Sequence, residues 1–457
     1  MRHPAELIAH TAGVVSRRLG RGGGTSLPGM VLLRLHPTAA GRLARQLTRG
    51  SVAISATNGK TTTARLVRSM VDAAGWPTVA NTAGANLLSG VTTALLAASR
   101  ESPSPTFGLF EVDEAALPAV SRQLRPRVVV LMNLFRDQLD RFGELESLVE
   151  RWRTMVDELD PSTVLVANAD DPAVAALAMR HDRVVLFGVD AADVARAELS
   201  HAADSTHCTS CNAPLAYDLI TIGHLGWWRC DNCGLARPTP DVTVRAVQLR
   251  GAEGITLTVA TPRGDVSAQM ALPGLHNAYN AAAAVAVAEA LELDLDLLGP
   301  ALGTADAAFG RAERVTCGDR DLVLLLAKNP TGANENVRTV LLDPDPLDVI
   351  VSLNDRTADG QDVSWIWDVD YEPLFERLHS LTVSGIRAHD LALRFRYGGF
   401  PTDRIVVEPD PGRALDTAIA AAPPGGRVYS LPSYTALLDL RAVLVDRGLV
   451  PAFWEDE

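Results

Sequence analysis

The chain runs to 457 residues, 47% hydrophobic and 21% charged, which fits a globular protein of two or three domains. Its formal net charge of −13 offers nucleic acid no electrostatic footing, so no nucleic-acid partner is expected. No apolar run is long enough to cross a bilayer, and Glu6 and His10 interrupt the stretch where an export signal needs its apolar core, so the expected location is the cytoplasm.

Residues 1–48 read as an N-terminal helical segment. In it Leu7, Ile8, Val14, Val15 and Leu19, with Arg17, Arg18 and Arg21, predict a basic amphipathic helix, better suited to packing on the following domain than to a membrane surface. Residues 52–55 then form a short apolar run fit for a buried strand, and 64–71 carry apolar residues at helical spacing. Between them lies the turn Thr57, Asn58, Gly59, Lys60, Thr61, Thr62. A strand–turn–helix of this kind aims backbone N–H groups and a helix N-terminus at one spot, which is a phosphate site. Lys60 is placed to reach the β- and γ-phosphates and the Thr61 hydroxyl to meet Mg²⁺, so ATP is the expected ligand. The strict loop pattern fails at one position, where Ile54 stands five residues before Gly59 in place of a glycine.

Further strands are expected near 107–110, 128–132, 163–167 and 184–187, with helical patterns between them, which argues for a mostly parallel α/β sheet. Glu111, at the carboxyl end of one such strand, is the first candidate to hold Mg²⁺; a solvated acidic loop through Asp113 and Glu114 is the alternative. A second polar cluster, from Asn133 to Arg141, follows the next strand.

The rhythm breaks over 190–240. Cys208 and Cys211, then Cys230 and Cys233, make two Cys-x-x-Cys knuckles at zinc-ribbon spacing. Four thiolates on two tight turns give the closed tetrahedral set of a structural Zn²⁺ site, and with no sign of export zinc is favoured over disulfides. Gly234 follows the second knuckle, where a positive φ is often needed. Cys317 stands alone and reads as a small core residue.

Antiparallel strands are expected near 256–260 and 267–272, followed by an Ala-rich helix over 278–293. Asn277 and Asn280 lie one turn apart at its start and offer the paired donor and acceptor that suit an adenine edge. This closes a central domain, 49–314, interrupted by the ribbon at about 200–240. Five strands near 321–327, 348–353, 380–384, 404–408 and 426–430 then predict a Rossmann-like C-terminal domain, 315–457.

In this order the motifs resemble the Mur ligase family, ATP-dependent enzymes that join amino acids to peptidoglycan precursors. The resemblance rests on residues 57–62, Glu111, the 133–140 cluster, the 274–280 segment and Gly310-Arg311-Ala312-Glu313, and runs from about residue 50 to the end of the chain. Ala56 stands where those ligases usually have glycine, and Gln138 where they have a metal-binding histidine. The ribbon, Lys328 and its neighbours (326–334), Asn354-Asp355 and the 358–368 segment are similar, more closely, to the MurT family of synthetase subunits of lipid II isoglutaminyl synthase, which work with a GatD glutaminase subunit.

That resemblance implies ATP-dependent amidation of the D-glutamate α-carboxylate of lipid II through an acyl phosphate, with ammonia from a glutaminase partner, at the inner face of the membrane. It implies that Thr57 to Thr62 and Lys328 bind ATP with Asn133, Asn277, Asn280 and Arg311, and that Thr61 and Glu111 hold Mg²⁺. It also implies that Asp362 completes the partner's Cys-His triad, with Asp355 and Asp359 as substitutes; capping the turn that follows is its structural alternative. Residues 81–86 are a candidate substrate loop. A stand-alone Mur-type amino-acid ligase, a folylpolyglutamate synthetase relative and a non-enzymatic ribbon module are the rival readings.

Overall fold

The computed structural model describes residues 4–18, 26–82, 84–101, 104–136, 144–196, 198–304 and 311–451. Its first sheet is built from β1 (Ser51–Ser55), β2 (Thr78–Ala80), β3 (Phe107–Glu111), β4 (Val128–Leu131), β5 (Val164–Asn168) and β6 (Val184–Val189). After the hairpin β7 (Ala216–Ile222) and β8 (Leu225–Arg229), the chain rejoins this sheet with β9 (Val242–Leu249), β10 (Ile255–Thr261) and β11 (Gly264–Met270). The order is β11-β10-β9-β6-β5-β4-β1-β3-β2, parallel from β9 to β2 and antiparallel at the other edge. The α/β expectation holds. β9 had no counterpart in the sequence reading, although Val242, Val244 and Val247 point into the core.

The period-2 alternation of β1 sorts its side chains between two cores. Val52 and Ile54 join Leu66 and Met70 of the helix Lys60–Ala73 and the Ala-rich helix His276–Ala290 on one face, while Ala53 meets Phe110, Leu165 and Trp152 on the other. Burial on both faces is why these central strands read as continuous apolar runs.

The N-terminal helix Pro4–Arg18 packs on this second core through Ala5 and Ala9, with Glu6 buried and paired to Arg42 at 2.5 Å. The expected apolar face is corrected in part: Leu7 and Ile8 face solvent, because small alanines allow the closer helix approach. The side chains of Val14, Val15, Arg17 and Arg18, and residues Leu19 and Arg21, lie outside the described residues.

A second sheet carries β12 (Arg311–Cys317), β13 (Arg320–Leu325), β14 (Leu347–Ser352), β15 (Leu378–Ser384), β16 (Ile405–Val407) and β17 (Arg427–Pro432). Its order is β12-β13-β17-β14-β15-β16, all parallel except the β12–β13 edge. β12 begins at Arg311, so this sheet starts within the residues assigned by sequence to the end of the central domain.

Candidate active site at the phosphate loop

β1 delivers the chain at Ala56 into a loop that Gly59 closes. Gly59 has φ 95°, and a Cβ there would lie 2.2 Å from the Asn280 Oδ1, so conformation and space both require glycine. The loop is held from the strand beside it. Thr57 N–H donates to the Asn133 carbonyl (3.1 Å), Asn58 N–H to Asn133 Oδ1 (2.9 Å), and Asn133 Nδ2 returns a bond to the Asn58 carbonyl (2.9 Å). The Thr57 hydroxyl bridges the Phe135 N–H and carbonyl. Thr62 is buried in the first turn of the helix.

On that turn, the Thr61 hydroxyl donates to Glu111 Oε1 at 2.7 Å, and Lys60 Nζ donates to Glu114 Oε2 at 2.8 Å and to the Ala56 carbonyl. Burial raises the Glu114 pKa, opposed by the Lys60 charge beside it. Asn81 fixes the acidic strand end: its Nδ2 donates to the Ala85 and Glu111 carbonyls, and its Oδ1 accepts the Glu111 N–H at 3.0 Å. Asn81 therefore positions Glu111, and its amide is occupied within the protein.

Asn277 and Asn280 reach the loop from the Ala-rich helix and are buried. Asn280 Nδ2 donates to Asn277 Oδ1 (2.8 Å), Asn280 Oδ1 accepts from the Thr63 hydroxyl (3.3 Å), and Asn277 Nδ2 donates to the Pro273 carbonyl (2.7 Å). These bonds lock the helix to the phosphate loop. From the second sheet, Lys328 Nζ lies over the Tyr434 ring at 4.9 Å. Its neighbour Asn329 caps the helix Pro330–Val340 and donates from Nδ2 to Asn58 Oδ1 at 3.1 Å. The Arg311 side chain and Gln138 lie outside the described residues.

The four cysteines of the ribbon converge, their sulfurs all within 4.8 Å of one another. The Cys208–Cys233 and Cys211–Cys230 sulfurs are 3.6 and 3.5 Å apart. Tetrahedral zinc with Zn–S bonds of about 2.3 Å sets its sulfurs about 3.8 Å apart, so the residues fit the ion. The clustered thiols divide their protons. The Asn232 amide, the Ala213 backbone and Cys230 draw the Cys211 thiol down to about 6. Cys233, against the Leu235 backbone hydrogen bond, is pushed up to about 12 by Cys208 and the other thiols. Gly234 has φ 76° in the second knuckle. The hairpin is keyed to the nucleotide side of the domain through buried Asp170. That residue accepts from the Tyr279 hydroxyl (2.5 Å) and Arg237 Nε (2.6 Å), while its carbonyl accepts from Gly226 N–H (3.1 Å). Cys317 is half-buried, and burial pushes its thiol up.

The three aspartates named as partner-facing candidates differ. Asp359 is buried and accepts from the Thr435 N–H (2.7 Å) and hydroxyl, capping the helix Tyr434–Asp446. Asp355 lies 3.7 Å from Arg387. Asp362 accepts from the Ser364 N–H at 2.8 Å, ahead of the short turn Ser364–Asp368. Hydrogen bonding from Ser364 lowers its pKa and keeps it ionised.

The profile of the Mur ligase middle domain matches residues 54–233, and that of the MurT ligase C-terminal domain matches 326–437. Over 449 residues the chain is 32% identical to the MurT subunit of lipid II isoglutaminyl synthase (glutamine-hydrolyzing) from Streptococcus pneumoniae, covering 97% of each. The chain belongs to the MurT family. The Staphylococcus aureus N315 subunit of the same name is 32% identical over 431 residues, covering 94% of each.

Among solved structures, this MurT-family chain is similar to a pseudomurein peptide ligase type C from Methanothermus fervidus (TM-score 0.69, 19% identity, 89% of this chain and 80% of that one). It is also similar to MurF from Thermotoga maritima in complex with ADP (0.64, 14%, 90% and 84%) and to Mycobacterium tuberculosis folylpolyglutamate synthase complexed with ADP and AMPPCP (0.61, 18%, 94% and 99%). These establish the Mur ligase fold.

Two residues of this site escaped the sequence reading. Glu114 was one acid in a run, with nothing to single it out as the Lys60 partner. Asn329 carried a readable signal, an asparagine before proline at a helix start, but not its contact with Asn58.

Proposed function

We propose that this chain is the synthetase subunit of a lipid II amidating enzyme. It uses ATP to convert the D-glutamate α-carboxylate to D-isoglutamine, with ammonia from a GatD-like glutaminase subunit. The observation that carries this reading is the end-to-end similarity to MurT subunits in a chain whose phosphate loop, Thr61–Glu111 pair and Asn329 converge at one place.

The carboxylate oxygen attacks the γ-phosphorus of ATP and ADP leaves, giving an acyl phosphate. Ammonia then adds to the acyl carbon, loses a proton, and inorganic phosphate departs. The N–H groups of the helix start and the Lys60 ammonium stabilise charge on the transferred phosphoryl group, and Glu114 orients Lys60. The Thr61 hydroxyl and Glu111 carboxylate offer the hard oxygen ligands that Mg²⁺ takes, and the ion would neutralise phosphate charge there. Asn133, Asn277 and Asn280 hold the loop beside the nucleotide, with Lys328 approaching from the second sheet; Arg311, at the start of β12, is the further ATP-binding candidate. The Cys208, Cys211, Cys230 and Cys233 set holds structural Zn²⁺.

Asp362 is the residue offered to the partner, where an ionised carboxylate orients a glutaminase histidine; burial of Asp359 and its bond to the Thr435 N–H support that choice. Among the described residues no helix is long and apolar enough to cross a membrane, and the enzyme would meet its lipid-linked substrate at the cytoplasmic face.

Hydroxylamine in place of ammonia tests the chemistry directly. Lipid II, ATP and Mg²⁺ should give an α-hydroxamate. A hydroxamate formed equally without ATP, or none at all, contradicts the acyl phosphate.

A further inference from the structure

The first 49 residues differ in charge from the rest of the chain. They hold eight arginines and one acid, Glu6, for a formal charge of +7, while residues 50–457 carry −20. Glu6 is buried against Arg42, so this segment shows no carboxylate to solvent, whereas Arg34 and Arg45 are exposed. A cationic end on an acidic protein is complementary to an anionic surface.

Apolar side chains accompany that charge. Pro4, Leu7, Ile8 and Thr11 recur at helical spacing along the helix Pro4–Arg18 and are exposed, opposite buried Ala5, Ala9 and Gly13. Leu7 is 65% and Ile8 55% exposed, and Met30 and Leu35 are half-exposed on the next helix, Leu27–Leu35. Packing on the central domain uses the alanines and leaves the larger side chains to a second partner. Apolar residues on a cationic segment favour a lipid surface over nucleic acid.

The two helices are tied to the active site. They touch so closely that a Cβ on Gly13 would lie 2.6 Å from Pro28 Cγ. Gly29 N–H then donates to the Thr93 hydroxyl at 2.9 Å, in the helix Leu88–Ala98 that follows the candidate substrate loop 81–86. Asn81 of that loop holds Glu111.

We propose that the Leu7–Ile8 stripe of this cationic segment docks on anionic phospholipid, bringing the phosphate loop to a substrate fixed in the bilayer. The inference rests on the amidation reading for that substrate.

Flotation of the complex with the glutaminase subunit tests this, using vesicles of phosphatidylglycerol and phosphatidylcholine, or phosphatidylcholine alone, all free of lipid II. Wild type should bind the anionic vesicles and not the neutral ones. Leu7→Ser with Ile8→Ser should weaken that binding about tenfold or more, and Arg34→Glu about fivefold. Both variants should amidate a short-chain, water-soluble lipid II analogue within about twofold of wild type, which reports an intact fold, and fall behind on lipid II in anionic vesicles.

A wild type that floats with neither vesicle, or variants that bind as wild type does, overturns the docking. A wild-type dimer that Leu7→Ser with Ile8→Ser dissolves, without flotation, gives the stripe to a second copy of the chain and also overturns it. Flotation as expected with no amide formed from either substrate supports the docking and overturns the amidation reading.

Discussion

Asn329 Nδ2 donates to Asn58 Oδ1 at 3.1 Å, joining the first helix of the second sheet to the phosphate loop of the first across 271 residues of sequence. The same side chain caps its own helix, its Oδ1 accepting from Gly332 N–H at 2.9 Å. One amide therefore serves both helix stability and the meeting of the two domains.

Asn329→Ala removes both bonds. Loss of the cap should cost about 1 kcal/mol, read as a lower denaturation midpoint. Asn329→Asp keeps a capping acceptor but cannot donate to Asn58. It should hold its stability and still lose ATP-dependent rate, by about tenfold, if the interdomain contact assembles the site. A fully active Asp variant would show that only the cap matters.

Lys60→Ala should abolish ATP-dependent amidation and leave binding of the glutaminase subunit intact, checked by co-purification and turnover. It also strands the Glu114 carboxylate. Burial already raises the Glu114 pKa, so the native protein holds its proton to higher pH than the unfolded chain does. The stability linked to that proton is complete below the unfolded value and is lost as pH rises through the folded one. Without Lys60 the raised value climbs further, so the variant should lose more stability at about pH 8 than at about pH 5, by up to about 3 kcal/mol. An equal loss at both pH values contradicts the pairing.

Asp362→Asn keeps an acceptor for the Ser364 N–H and loses the charge. Glutamine-driven amidation should fall by about 10³-fold or more, as for loss of an orienting carboxylate, with ammonium-driven amidation kept. Asp359→Asn should instead lower stability, because its carboxylate serves the Thr435 N–H and hydroxyl. Equal loss of both activities in Asp362→Asn removes that residue from the partner's active site.

Cys208→Ser should lower bound zinc from one per chain toward none, read by elemental analysis. Because Asp170 ties the ribbon hairpin to Tyr279 in the Ala-rich helix, the loss should spread into the nucleotide side and reduce ATP turnover. A metal-free variant with unchanged stability ends the zinc assignment.

What the sequence made legible was local. The turn at Gly59 and the two cysteine knuckles are set by fixed spacings, and their geometry follows from a few consecutive residues. Glu114 was hidden because it lies past the end of β3, where strand alternation no longer says which way a side chain points. The Asn329–Asn58 bond depends on how two sheets meet, which no local pattern encodes. β12 had no counterpart among the expected strands because Glu313 and Arg314 break its apolar run, as an edge strand tolerates. Leu7 and Ile8 misled because apolar residues on a helix need not mark its buried face when alanines do the packing.

The most direct test of the account is the mass of the lipid II product after reaction with ATP and glutamine, with and without the glutaminase subunit. The account predicts a product lighter by about one mass unit, –OH replaced by –NH₂, that forms only with ATP and both subunits. A product heavier by an added amino acid, formed by this chain alone, would contradict it.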